Sequence, residues 1–296
     1  MLAPKDFVAS PAAMDRDWPL DESLAYTRAL ATSHYENFHV VSFLLPKDLH
    51  QDFYNVYSFC RWADDLGDEL DDKQESLRLL SWWRHELERM YSGSATHPVF
   101  VALKGTADRR KLPIEPFDDL IKAFEQDQRI TRYRTYEDLF QYCRWSANPV
   151  GRLVLYLCGY SDERRQSLSD ATCTGLQLAN FWQDVTVDWD KDRVYLPGAN
   201  DEDIAARRFT PEFRAAMFEG VRIARNLFEK GLALPSMVNR RLAVDLELFS
   251  QGGLRILDKI ESQNYDVLKQ RPRVGKAERV GILLRAVLRR GFVAAA

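Results

Sequence analysis

Apolar residues recur every three or four positions along most of this chain, in runs broken by short stretches of proline, glycine and charge. That recurrence is the pattern of amphipathic helices. Phe53, Val56, Tyr57 and Cys60 form one stripe, opened at Pro46 with Lys47 and Asp48 behind it. Leu77, Leu80, Trp83 and Leu87 form a second over residues 73–91, ended near Gly93. A third runs through Phe117, Leu120, Phe124 and Gln128 after Pro113 and Pro116. Thr135, with Asp138 three residues on, caps a helix through Tyr142 and Trp145 to Pro149. Residues 151–159 are strongly apolar and read as a central helix. Ser169 and Asp170 are expected to cap a long helix carrying Gln177 to Asp188. Further helical segments are expected at 211–231, 235–249 and 253–263, with a mobile polar connection over 198–210. No stretch alternates with a period of two and no repeat is present. The pattern predicts an all-α, single-domain helical bundle over 21–296. Residues 1–20, with Pro4, Pro11 and Pro19, are expected to be a flexible N-terminal arm.

Composition narrows this only slightly. The 296 residues are 46% hydrophobic, enough for a large core. A net charge of −3 gives no basic field to attract nucleic acid. Cys60, Cys143, Cys158 and Cys173 are far apart, show no C-x-x-C spacing and read as reduced core residues of a cytoplasmic protein. No apolar run approaches the length of a membrane span.

Two acidic stretches change the picture. Asp64 and Asp68 lie four residues apart behind the stripe ending at Cys60, with Asp65 between them. Gln177, Asn180, Asp184 and Asp188 fall within an arc of about 80° at about 100° per residue. Residues four apart share a helix face. At 29% charged residues, such pairs also arise on solvated faces. These sit among Leu176, Leu178, Phe181, Trp182 and Val185, where unpaired acids are expensive. Mg²⁺ takes carboxylates together with substrate phosphates, so the pair of stretches reads as a metal–diphosphate site across a helical bundle.

The residues that carry this pattern resemble the squalene and phytoene synthases, which join prenyl diphosphates head to head. His34-Tyr-Glu-Asn37-Phe38 looks like the family's N-terminal segment, and Tyr57-Ser-Phe-Cys-Arg61-x-x-Asp64-Asp65-x-x-Asp68 like its first aspartate motif. Gln177-x-x-Asn180-x-x-x-Asp184-x-x-x-Asp188, with Asp192-Arg193-Val-Tyr195-Leu-Pro, looks like the second motif and its flanking loop. Tyr142 falls where the family has a cavity tyrosine, and Gln263-Asn264-Tyr265-Asp266 resembles the family's late tyrosine segment. The resemblance implies an isoprenoid synthase bundle around a central cavity. It implies Mg²⁺ on Asp64, Asp68, Asn180, Asp184 and Asp188, and phosphate donors at Arg61 and Arg193. It implies substrate contacts at His34, Asn37, Phe38, Gln177, Asn180 and Tyr265. Tyr57, Tyr142 and Tyr195 either donate to phosphate oxygens or are core rings with satisfied hydroxyls. Arg61, one turn before Asp64 and Asp65, can equally form a structural salt bridge.

Within the family, the His34–Phe38 segment most resembles the hydroxysqualene synthase branch of bacterial hopanoid biosynthesis, often labelled squalene synthase. That branch implies presqualene diphosphate as substrate, water as the captured nucleophile and no need for NADPH. Gln183 departs from the arginine common in phytoene and dehydrosqualene synthases. The near alternative is a presqualene diphosphate, squalene or phytoene synthase, acting on farnesyl or geranylgeranyl diphosphate. A head-to-tail prenyltransferase, a terpene cyclase and a non-catalytic helical assembly factor fit the second motif or the intact acid set less well. Residues 271–296 hold seven basic residues and one acid, Glu278, among apolar ones. Such an end either packs on the bundle with its charges in water or touches the inner face of a membrane.

Overall fold

The computed structural model describes residues 3–14, 16–33, 46–70 and 72–289. In chain order its helices are α1 (Pro4–Val8), α2 (Pro11–Met14), α3 (Leu20–Ser33), α4 (His50–Asp68), α5 (Lys73–Ser92), α6 (Pro98–Arg110) and α7 (Glu115–Asp127). They continue with α8 (Tyr136–Ser146), α9 (Asn148–Leu157), α10 (Glu163–Asp190), α11 (Asp201–Ala205), α12 (Pro211–Gly231), α13 (Arg240–Ser262) and α14 (Lys276–Arg289). Among the described residues the only β feature is an isolated parallel bridge between Arg132 and Val194. The all-α expectation therefore holds. The chain forms two compact units, Met1–Ile130 with Pro149–Ser161, and Thr131–Asn148 with Asp162–Ala296. The backbone passes between them at 130/131, 148/149 and 161/162, so the units are interleaved and neither is a separable stretch of sequence.

The first unit is built on aromatic packing. Trp62 of α4 and Trp83 of α5 stack at 4.9 Å and 7°, and Phe59 meets Phe117 edge-on at 4.8 Å. Such pairs add to the large apolar area these rings bury. Phe7 joins this core, 1% exposed and 5.2 Å from the Trp62 ring. This corrects the expected flexible arm: the prolines start two short helices, and Phe7 anchors them. A buried polar chain ties α3, α4 and α6 together. Thr27 donates to Asn55 Oδ1 at 2.7 Å, and Asn55 Nδ2 donates to Ala102 O at 3.0 Å. Thr106 Oγ1, Arg109 and Arg110 all donate to the Asp52 carboxylate. Burial alone would raise that carboxyl, but Arg110, Thr106 and Arg109 hold it below its usual range.

The second unit is built around α10, packed by α12 and α13. Asp162 caps α10 by accepting from Arg165 N at 3.1 Å, so the helix starts about two turns before the expected Ser169–Asp170 cap, and Ser169 is buried inside it. The α13 helix is unbroken where the sequence predicts two segments. Gly252 and Gly253 look like a break, but a Cβ at Gly253 would stand 2.3 Å from the Phe228 ring and 3.0 Å from Leu176. Glycine there lets three helices approach closely. The expected mobile connection over 198–210 is also replaced by structure. It contains α11, with Ile204 fully buried and Asp201 paired to Arg132 and Arg134 at 2.9 Å.

One buried acid has no counterpart. Asp245 of α13 is 1% exposed, neither carboxylate oxygen has a hydrogen-bond partner, and burial pushes it up to about 8. Two predictions follow from this packing. Gly253→Val should lower unfolding free energy by about 1–3 kcal/mol through overpacking. Gly252→Ala, whose Cβ enters open space, should raise it by up to about 1 kcal/mol from helix propensity. Urea melts followed by circular dichroism separate the two, and equal effects would refute the close approach. For Asp245, the unfolded carboxyl ionises near pH 4 while the folded one keeps its proton to about 8. Between those values the folded state binds the extra proton, so stability falls as pH rises. Asp245→Asn should remove this loss, and melts of the two proteins should converge below pH 4 and diverge up to pH 8.

Candidate active site

The first acidic motif lies at the C-terminal end of α4. Phe59, Trp62, Ala63 and Leu66 take the core face, which leaves Asp64 half-buried and Asp68 exposed on the other side. Asp65 turns inward, 5% exposed. Arg61 reaches all three nearby acids, with contacts of 2.5 Å to Asp65, 2.8 Å to Glu69 and 3.4 Å to Asp64. Burial still pushes Asp65 up to about 7, against Arg61 and with help from Glu69 and Asp64. Arg61 therefore has the structural salt bridges that its spacing allows, and it gathers acids rather than cancelling them. Burial also raises the Tyr57 hydroxyl, one turn before Arg61. Gly67 sits between Asp64 and Asp68 because Phe124 of α7 comes within 3.0 Å of its Cβ position. Gln128 donates to Gly67 O at 2.8 Å. The helix stops one residue later, at Asp68.

The second motif lies on α10. Gln177, Asp184 and Asp188 are half-buried and Asn180 is exposed, in line with one polar stripe on a helix whose Leu178, Phe181, Trp182 and Val185 are buried. Arg271 grips both oxygens of Asp184, Nε on one and Nη2 at 3.0 Å on the other. Gln183 donates to Pro272 O at 2.7 Å. The residue that departs from the family's arginine thus holds the strand of chain that brings a cation to Asp184 from elsewhere. Asp188 is pushed up to about 7 by burial and by Asp184, despite Lys191, Arg193 and Arg271.

The loop after α10 is pinned into an aromatic cluster. Arg193 N donates to Asp188 O at 2.8 Å, and Val194 pairs with the 131–133 segment through Thr131 O and Tyr133 N. Arg132 locks the turn, paired with Asp192 and Asp201 and lying 5.4 Å over the Trp189 ring. Tyr195 is then stacked on Phe181 at 3.8 Å and 7°, with Tyr133 at 5.4 Å and Tyr142 at 5.9 Å. The structure brings Tyr142 and Tyr195 together, and places Arg193 beside Asp188. Tyr265 adopts a left-handed conformation at φ 68° and contacts the Phe218 ring and Arg214. His34, Asn37 and Phe38 lie outside the described residues.

Sequence reasoning missed Arg271, Phe181, Tyr133 and Arg132. Arg271 looked like one of the basic residues of the C-terminal segment, and no periodicity links it to Asp184, 87 positions away. Phe181 looked like one more core residue of α10. Among the described residues no three acidic, histidine or cysteine side chains close into a ready cage. Carboxylate and amide oxygens in pairs, with charge in excess of the nearby cations, still fit a hard divalent ion whose remaining ligands are water and phosphate.

The wider comparison agrees with this geometry. Residues 31–278 match the family model described as squalene/phytoene synthase. The phytoene synthase of Thermus thermophilus is 33% identical over 293 residues, covering 95% of this chain and 96% of that one. The crystal structure of squalene synthase HpnC from Alicyclobacillus acidocaldarius superposes with a TM-score of 0.80 at 46% identity, covering 83% of this chain and 95% of that one. A dehydrosqualene synthase crystallised with a ligand shares the fold, with a TM-score of 0.76 at 24% identity over 91% of this chain and 97% of its own. With its two acidic helix faces, its pinned tyrosine loop and this match over most of its length, the chain belongs to the squalene/phytoene synthase family of head-to-head prenyl-joining enzymes and has their helical isoprenoid synthase fold.

Proposed function

We propose that this protein converts presqualene diphosphate and water to hydroxysqualene and diphosphate, with Mg²⁺ and without NADPH. The observation that carries this is the 46% identity with a squalene synthase of the HpnC type. Gln183 and the His34–Phe38 segment support the same branch. The first step breaks the cyclopropylcarbinyl C–O bond of presqualene diphosphate, and its cost lies in the charge that develops on the departing diphosphate. Mg²⁺ held by oxygens of Asp64, Asp68, Asn180, Asp184 and Asp188 would neutralise that charge. Arg61 and Arg193 supply planar, bidentate donors to phosphate oxygens. Gln177 and Tyr57 add polar contacts at the same groups. The stacked rings of Tyr195, Phe181, Tyr142 and Tyr133 supply the π-faces that attract a carbocation and keep bulk water from it. The cation then rearranges with opening of the cyclopropane ring, one water adds through its oxygen and loses a proton, and the alcohol leaves. Among the described residues no helix is long and apolar enough to cross a membrane.

The 33% identity with a phytoene synthase supports a second product, phytoene from geranylgeranyl diphosphate. Incubation with presqualene diphosphate in ¹⁸O-water, with and without NADPH, discriminates the two. The label should appear in the product hydroxyl in both arms. A hydrocarbon formed only with NADPH would make the protein a squalene synthase, and phytoene from geranylgeranyl diphosphate would move it to the carotenoid branch.

Asp64→Ala, Asp68→Ala, Asp184→Ala and Asp188→Ala should each lower kcat by at least about 10²–10³-fold, the scale of a lost charge-stabilising group. Circular dichroism should stay that of the wild type. Near-wild-type rates in any two variants, or full activity in excess EDTA, would refute the metal assignment.

A further inference from the structure

The C-terminal helix α14 turns an apolar stripe to solvent. Val280, Leu283 and Leu284 are 54%, 40% and 56% exposed, and they fall within an arc of about 100°. Large apolar side chains are exposed singly elsewhere, but here three lie within five residues of one helix. The orientation is fixed by the opposite face. Glu278 accepts from Gly275 N at 2.8 Å, from Arg255 Nη2 at 2.6 Å and from Lys259 at 3.0 Å. Those contacts, the Gly275 amide first, bring its carboxyl down to about 2. Ile282 and Ala286 follow at four-residue spacing, and Ala286 is 3% exposed. Glu278, Ile282 and Ala286 thus seat α14 on the protein and force Val280, Leu283 and Leu284 outward. The charge only partly follows this division: Lys276 and Arg279 lie on or beside the apolar stripe, while Arg285 and Arg289 lie about 150–170° from its centre, and Arg285 lines the cleft against α13. Glu278, the one acid of the helix, is neutralised by α13, while Lys276, Arg279, Arg285 and Arg289 are all exposed.

We propose that this face of α14 docks the protein on an anionic lipid surface, with Val280, Leu283 and Leu284 entering the acyl boundary and Lys276 and Arg279 at the phosphates. An amphipathic helix lies in the membrane plane in this way, held by apolar burial and by attraction to anionic lipid. Charge complementarity selects this occupant. A second copy seated on the same stripe would bring the Lys276 and Arg279 pairs of both copies together, which opposes association. Nucleic acid would answer the cations and leave the leucines in water. The docking is independent of which reaction the protein performs.

The test uses the full chain and cosedimentation with vesicles of phosphatidylcholine alone or mixed equally with phosphatidylglycerol, at low and high salt. The mixed vesicles should bind at least tenfold more tightly, and salt should weaken them. Leu283→Glu/Leu284→Glu should lose at least tenfold in binding with an unchanged thermal melt. Lys276→Gln/Arg279→Gln should bind more weakly and with less salt dependence. Leu284→Trp gives a second readout that needs no destabilising charge, since its added emission should shift to the blue on mixed vesicles and be quenched by brominated lipid. Absence of vesicle binding, equal binding to both compositions, or wild-type binding by the double glutamate variant would each overturn the proposal. So would a dimer in lipid-free solution that the glutamates dissolve, or binding to homopolymeric RNA in place of vesicles.

Discussion

Concentrated carboxylates with too few cations constrain this structure more than any other feature. The contrast is visible within one helix. At the start of α4, Asp52 is buried but receives two arginines and a hydroxyl, and it is held as a carboxylate. At the end of the same helix, Arg61 is divided among Asp64, Asp65 and Glu69, and Asp65 is left with a raised pKa. On α10, Arg271 spends both donors on Asp184 and Asp188 is raised in turn. A sequence selected for stability alone would replace such acids, because undercompensated buried charge opposes folding. Their retention at two helix faces, each next to an arginine, is what a site for a cation and an anionic leaving group requires.

The rest of each unit makes those faces rigid. In the first, stacked indoles and the Asn55–Thr106–Asp52 network hold α4 against its neighbours. In the second, Gly253 lets Phe228 and Leu176 meet α13 with no side chain between, which adds close packing to the polar ties of α10. Arg132 fixes the loop that carries Arg193 and Tyr195. Side chains needed at defined positions sit on helices or on a loop with several independent ties, as precise electrostatic stabilisation demands.

Local periodicity made the helices legible, and the four-residue spacing made both acidic faces legible, since each lies within one helix. Caps were legible where a single side chain decides, as at Thr135, and failed where two candidates compete: Asp162 starts α10 and Ser169 is simply buried. The glycine pair 252–253 and the proline-rich start were misread for one reason. Glycine and proline mark breaks only when nothing packs on them, and Phe228 and the Trp62 core are distant in sequence. Arg271 was invisible for the same cause. Ion pairs between residues far apart leave no spacing to detect, whereas Arg61 and its acids sit on one helix and could be read directly. The C-terminal segment left two orientations open, and only the pairing of Glu278 with α13 showed which side of α14 faces water.

The interleaving of the two units bears on the order in which the chain can fold as it is made. Leu153 and Leu157 are fully buried members of the first unit's core, yet they follow residues 131–148, which belong to the second. The first core is therefore incomplete until synthesis has passed residue 161. By then Tyr133 and Tyr142 have already emerged, and their stacking partners Phe181 and Tyr195 have not. The aromatic segment must wait on the nascent chain with its partners unmade. A ribosome stall after these rings have left the exit tunnel and before Phe181 and Tyr195 have followed would expose them, so this interval is where aggregation or chaperone capture would act on the growing protein.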